Sequence, residues 1–288
     1  MRKKFILFVL FIGLPAFAQT DKVLLVGDSW AQQQYSDDIH NAVFDVNGYT
    51  NIRILQNADA TAVVIDGTTA GDWVVPSELQ KITDALINNP SVDTVQLTLG
   101  GNDFLDNWNT SMTMMEVDAL KNQIVADLQT IIDAILAVDI NIEIVLSFYD
   151  YPNFEETLGG LVGIVCSDLY NNMMQPSTTE LNTMALEFTS AFAQIASQNP
   201  KVFHVSHWGR MQNAYGSSDG SIGPGVIQLP GDVSLTSPLI AMREHDFGIF
   251  TERDCFHLTP EGYDILVQAL FEEYYQYRFD TIFKSLFE

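Results

Sequence analysis

Five short apolar runs punctuate the chain: Val23–Val26, Ala62–Ile65, Val95–Leu99, Ile142–Leu146 and Val202–Val205. They are rich in Val, Ile and Leu, are bounded by turn-forming residues, and do not alternate cleanly with polar positions. That pattern predicts strands buried on both faces, as in a parallel sheet. Between the runs, apolar residues recur at helical spacing. Val117, Leu120, Ile124, Leu128, Ile131 and Ile135 share one face, and Thr113 with Glu116 makes a capping box ahead of them. Leu181, Met184, Phe188, Phe192 and Ile195 repeat the pattern; Ser177 and Glu180 cap that segment and Asn199-Pro200 ends it. Ser77-Glu78-Leu79-Gln80 opens a shorter helix, and Thr259-Pro260 supplies an N-cap followed by proline at the first helical position. Strands alternating with helices predict an α/β fold with a doubly wound parallel sheet.

Two segments break the alternation. Residues 151–176 and 208–254 are long and rich in Gly, Pro, Ser and aromatic residues. Loops of this length inside a compact domain usually carry function. Each follows a predicted strand, and ligands of open α/β sheets bind at the carboxyl ends of the strands. Both inserts are therefore expected to shape a binding site.

The first residues follow a different rule. Arg2, Lys3 and Lys4 precede the apolar run 5–14, and Ala16-Phe17-Ala18 has the small-x-small pattern of a cleavage site. This reads as a secretory signal peptide over residues 1–18, too short to span a bilayer, with a protein bound for the periplasm or the medium. Residues 19–288, about 270 of them, suffice for one domain with its own core. With 37 acidic against 13 basic side chains, the surface repels nucleic acid and anionic lipid headgroups. The two cysteines, Cys166 and Cys255, form no metal-binding cluster with neighbouring His or Cys. Export permits a disulfide between them, which would tie the first insert to the segment around residue 255.

Candidate chemistry begins at Gly27-Asp28-Ser29, at the carboxyl end of the first predicted strand. A serine there can point into the crevice, but an Asp-Ser after a strand is also an ordinary helix cap. A nucleophilic serine needs a base, a group orienting that base, and donors for an oxyanion. Asp254 and His257, three residues apart before the capped C-terminal helix, can supply the first two: the carboxylate reaches Nδ1 and leaves Nε2 for the serine. Gly100-Gly101-Asn102-Asp103 ends another strand, and Asn102 offers a side-chain N–H. Gly67, after the second apolar run, offers a backbone N–H. Each block alone reads equally as a turn.

Together and in this order, the blocks resemble the GDSL/SGNH hydrolase family, over nearly all of the chain from Val23 to the C-terminal helix. Trp30 stands where the family name has Leu, and Gly71 competes with Gly67 for the second block. The resemblance implies a three-layer α/β/α flavodoxin-like sandwich with a central five-stranded parallel sheet, and no metal or organic cofactor. It implies Ser29 as nucleophile, His257 as general base and acid, and Asp254 as its orienting partner. The oxyanion hole would be the N–H groups of Ser29 and Gly67 and the side chain of Asn102.

The expected reaction is hydrolysis of carboxylic esters, by an esterase or lipase acting on short-to-medium acyl chains. Leu161, Val162, Ile164, Val165, Met173, Met174, Val226, Ile227, Leu229, Leu239 and Ile240 in the inserts are candidates for an acyl pocket. A carbohydrate esterase is the alternative, with Trp73, Trp108 and Trp208 as sugar platforms; acyl transfer, or a surface binding protein without chemistry, are others. Four features read as decoys. Gly216-Ser217-Ser218-Asp219-Gly220 matches a nucleophile elbow but lacks the strand before it. Glu244-His245-Asp246 reads as a solvated charge cluster, His204 and His207 as structural, and the aromatics of 271–287 as a packing face.

Overall fold

The computed structural model describes residues 18–159 and 162–285. Apart from Ala18, the expected signal peptide lies outside them, as do Leu161 and the side chains of Val162, Ile164 and Val165. Five strands form the central sheet: β1 (Thr20–Gly27), β2 (Ile52–Ile54), β3 (Thr94–Thr98), β4 (Glu143–Ser147) and β5 (Val202–His204). Their order is β2-β1-β3-β4-β5 and every pairing is parallel. Residues 23–27 of β1 pair in register with 94–98 of β3, and 94–98 with 143–147 of β4. This register brings the carboxyl ends of the three central strands to one level. All five residues of β3 are buried, as are 23–27 of β1, so helices cover both faces of the sheet.

The edge strand differs from expectation. Ala62–Ile65 is not a strand; it touches the sheet through one bridge, where Gly27 N–H donates to the Val63 carbonyl and Ile65 N–H donates to the Gly27 carbonyl, both at 2.9 Å. The fifth strand is β2. Its run is broken by Arg53, whose partly buried guanidinium pairs with Asp45 at 2.7 Å at an edge of the sheet.

The helices keep their sequence signals. Helix Met114–Val138 starts with the Thr113/Glu116 capping box and helix Thr178–Gln198 with the Ser177/Glu180 box. Thr259 caps helix Pro260–Leu270 by accepting from Gly262 N–H. The aromatic C-terminal segment packs as a face: Phe44 meets Tyr275 and Phe279 edge-on, at 5.3 and 5.0 Å between ring centroids. The inserts are more ordered than their composition implies. The first contains helix Val162–Asn172, and the second contributes β6 (Met242–Asp246), which forms an antiparallel hairpin with β7 (Thr251–Leu258). A disulfide joins Cys166 on that helix to Cys255 on β7, with 6.0 Å between Cα atoms. No helix among the described residues is long and apolar enough to cross a membrane.

Candidate active site

Ser29 is the first residue of helix Ser29–Ser36, directly after β1. Asp28 is the N-cap, and its Oδ1 accepts from Trp30 N–H at 3.0 Å. The turn into the helix passes so close to β3 that a Cβ on Gly27 would lie 2.2 Å from the Thr98 carbonyl oxygen, so only glycine fits. The start of the helix leaves the Ser29 N–H without a partner from within the helix.

His257 and Asp254 lie near the end of β7. Asp254 Oδ1 accepts from the N–H groups of Phe256 (2.9 Å) and His257 (3.0 Å). Its Oδ2 lies 2.9 Å from His257 Nδ1. An ionised carboxylate only accepts, so Nδ1 carries the proton and Nε2 has its lone pair free. Nε2 lies 2.8 Å from Ser29 Oγ, with 228 residues between the two in sequence. Burial alone would raise Asp254, but the hydrogen bond and charge of His257 and the two backbone N–H groups outweigh it. The carboxyl is held below the usual carboxylate range.

Asn102 lies in the helix Gly101–Asn107 that follows β3. Its Nδ2 donates to the Thr68 carbonyl at 3.0 Å, leaving a second N–H. Asp103 accepts from Ala70 N–H at 2.7 Å and Gly71 N–H at 3.5 Å, tying the Gly67–Gly71 turn to the end of β3. Gly71 is thus engaged with Asp103, whereas Gly67 is exposed, with φ at +71°. Ser29 and Asn102 are nearly buried and His257 is partly exposed.

One neighbour was not legible as part of this cluster. His245, read as a solvated charge, points its Nε2 at Asp254 Oδ2 from 3.2 Å, so one carboxylate oxygen faces two imidazoles. The pairing of β6 with β7 brings it there, and nothing in the local sequence announces it. The remaining candidates lie apart. Ser218 is in a loop, where its Oγ accepts from Leu239 N–H. Met173 and Ile227 are buried and Leu239 is partly buried, while Met174, Val226, Leu229 and Ile240 face solvent, so these last four line no enclosed acyl pocket. Trp73, Trp108 and Trp208 are all buried. Cavities of about 310, 280 and 320 Å³ are lined by residues other than Ser29, Asn102 and His257. The one group of potential metal ligands among the described residues is Cys166, Asp254 and Cys255, whose sulfurs are already bonded to each other.

Comparison with known proteins gives the same architecture. The family described as GDSL-like Lipase/Acylhydrolase matches residues 23–270. Among solved structures, a protein of Streptococcus pneumonia whose description refers to platelet activating factor is 17% identical, with 88% of this chain and 84% of the other covered and a TM-score of 0.53. A GDSL-like lipase from Bacteroides thetaiotaomicron VPI-5482 is 15% identical, with 88% and 87% covered and a TM-score of 0.47. An acetylxylan esterase from Geobacillus stearothermophilus is 16% identical, with 89% and 94% covered and a TM-score of 0.45. At its identity of 17% and TM-score of 0.53, the first of these shows a likeness of fold. No protein of curated function matches the chain.

Proposed function

The chain belongs to the GDSL-like lipase/acylhydrolase family, and on that premise we propose that it is a serine esterase whose nucleophile is Ser29. Membership makes it an ester-hydrolysing enzyme; the assignment of roles is carried by one observation. Ser29 Oγ, His257 Nε2, His257 Nδ1 and Asp254 Oδ2 form a continuous hydrogen-bonded line, at 2.8 and 2.9 Å.

In this reading His257 Nε2 takes the Ser29 proton as Oγ attacks the ester carbonyl. Asp254 keeps the imidazole in the tautomer with hydrogen on Nδ1 and stabilises the imidazolium that forms. The oxyanion is met by the Ser29 N–H, the Gly67 N–H and the Asn102 N–H not used on Thr68. His257 then gives its proton to the leaving alcohol, and a water activated by the same imidazole releases the acid from the acyl-enzyme. No step requires a metal or an organic cofactor.

The proposed substrates are carboxylic esters of short-to-medium acyl chain, with preference toward the short end. Supporting this, Ser29, Asn102 and His257 line none of the cavities of about 310, 280 and 320 Å³, and Met174, Val226, Leu229 and Ile240 face solvent. Burial of Trp73, Trp108 and Trp208 removes the sugar-platform argument for polysaccharide deacetylation. The proposal extends to location: the leader sequence and the Cys166–Cys255 bridge support export to the periplasm or medium. The test is turnover of nitrophenyl esters from acetate to octanoate by the mature protein and by Ser29→Ala. The acetate and butyrate esters should be turned over fastest, and the variant should lose at least roughly 10³-fold. Equal turnover by the variant would remove Ser29 from the mechanism.

A further inference from the structure

Tyr149 takes no part in the mechanism above, yet its hydroxyl sits between two of the site's polar groups. It lies 2.6 Å from Asp28 Oδ2 and 3.3 Å from Asn102 Oδ1. All three residues are buried: Asp28 is 0%, Tyr149 4% and Asn102 9% exposed. The ring is fixed. It stacks on Trp30 with 4.5 Å between centroids and 18° between planes, and it lies against Gly101, where a Cβ would come within 2.1 Å of it.

A phenol has one proton, and here it faces two oxygens. If Asp28 is ionised, the proton goes to the carboxylate, and Asn102 Oδ1 is left against the phenol's lone pairs. If Asp28 carries a proton on Oδ2, that proton is donated to the phenol oxygen and the phenol donates onward to Asn102 Oδ1. In the second arrangement the carboxyl proton, the phenol proton and Asn102 Oδ1 each have a partner, and Asp28 Oδ1 still accepts from Trp30 N–H.

We propose that Tyr149 is a positioning residue for Asn102: neutral Asp28 donates to Tyr149, Tyr149 donates to Asn102 Oδ1, and the amide is held with one N–H on Thr68 and the other toward the oxyanion. This rests on the reading of Asn102 as an oxyanion donor. Burial raises Asp28 to about 7, against the Trp30 N–H bond and the charge of His257, so the neutral form prevails below that pH. An amide free to rotate by half a turn would present oxygen to an oxyanion, which is why its orientation controls the rate rather than the binding of substrate.

Tyr149→Phe keeps the stacked ring and removes only the hydroxyl. It should lower kcat about tenfold with KM within about twofold, and should change kcat by less than about twofold when made on top of Asn102→Ala. Asp28→Asn offers a carboxamide N–H in place of the carboxyl proton, so it should restore most of the activity that Asp28→Ala loses; this pair carries the test if Tyr149→Phe does not fold. Equal losses from Tyr149→Phe in both backgrounds would overturn the proposal, as would wild-type kcat in Tyr149→Phe or equal damage from Asp28→Asn and Asp28→Ala. An Asn102→Ala variant with unchanged kcat would instead overturn the parent reading, and the positioning role with it.

Discussion

Breaking the Cys166–Cys255 bridge should reduce stability by an amount the structure sets. The bridge closes a loop of 89 residues, and in the chain-entropy account a loop of that size restricts the unfolded chain by about 4.5 kcal/mol. For a chain this long, each kcal/mol moves the melting temperature by roughly 2 °C, so the midpoint should fall by about 9 °C. Activity should respond much less. Cys255 follows Asp254, but that carboxylate is held by its own bonds to the N–H groups of Phe256 and His257, and β7 is held by its pairing with β6. The assay is urea unfolding followed by tryptophan emission, on the wild type with and without a phosphine reductant and on Cys166→Ala/Cys255→Ala. Reduction leaves the side-chain volume in place, so it separates loop entropy from the small void the alanines create. Turnover at 25 °C should stay within about threefold in both cases. A stability loss under about 1 kcal/mol would refute the entropic reasoning; a loss of turnover without unfolding would show that the bridge, not the local bonds, positions Asp254.

Three further outcomes follow from the site. Asn102→Ala should lower kcat about 10²-fold while KM changes little, and an unchanged kcat would remove it from the oxyanion hole. Gly101→Ala drives a methyl group to 2.1 Å from a ring that Trp30 prevents from moving; it should reduce kcat/KM by more than about tenfold and lower the melting temperature, and a variant matching the wild type in both would show that the ring can give way. Asp28 is raised by burial to about 7 in the folded chain, above roughly 3.9 unfolded, so the folded state holds its proton more tightly and its contribution to stability declines as pH rises from about 4 to about 7. Asp28→Asn cannot titrate, so its urea midpoint relative to wild type should rise between pH 5 and pH 7.5; a constant difference would place the proton elsewhere.

Most of the sheet was legible because residues 23–27 of β1, all of β3 and 144–147 of β4 are buried, and their Val, Ile and Leu residues stand out between turn signals. The edge was not. Ile52–Ile54 is interrupted by Arg53, whose charge is acceptable at an open edge, while the more apolar Ala62–Ile65 serves the core without pairing beyond one bridge. The β6–β7 hairpin escaped notice because its strands are charged. Glu244 and Arg253 face each other across it at 2.8 Å, so it carries no apolar alternation to detect. Ser29 and Asn102 stand in short blocks after strands, and Asp254 and His257 in a block before a capped helix, all readable locally; that the last pair lies on strand β7 was not. Tyr149 stands in no block and reaches Asn102 across 47 residues, while His245 stands in a charged block whose turn back toward Asp254 only the β6–β7 hairpin shows.

The central claim is that Ser29 is the nucleophile, and a fluorophosphonate tests it most directly. The mature protein and Ser29→Ala would each be incubated with the reagent and the adduct located by peptide mass spectrometry. The account predicts one adduct on Ser29 and none on the variant. A folded wild type that remains unlabelled, or an adduct on Ser218, would contradict it.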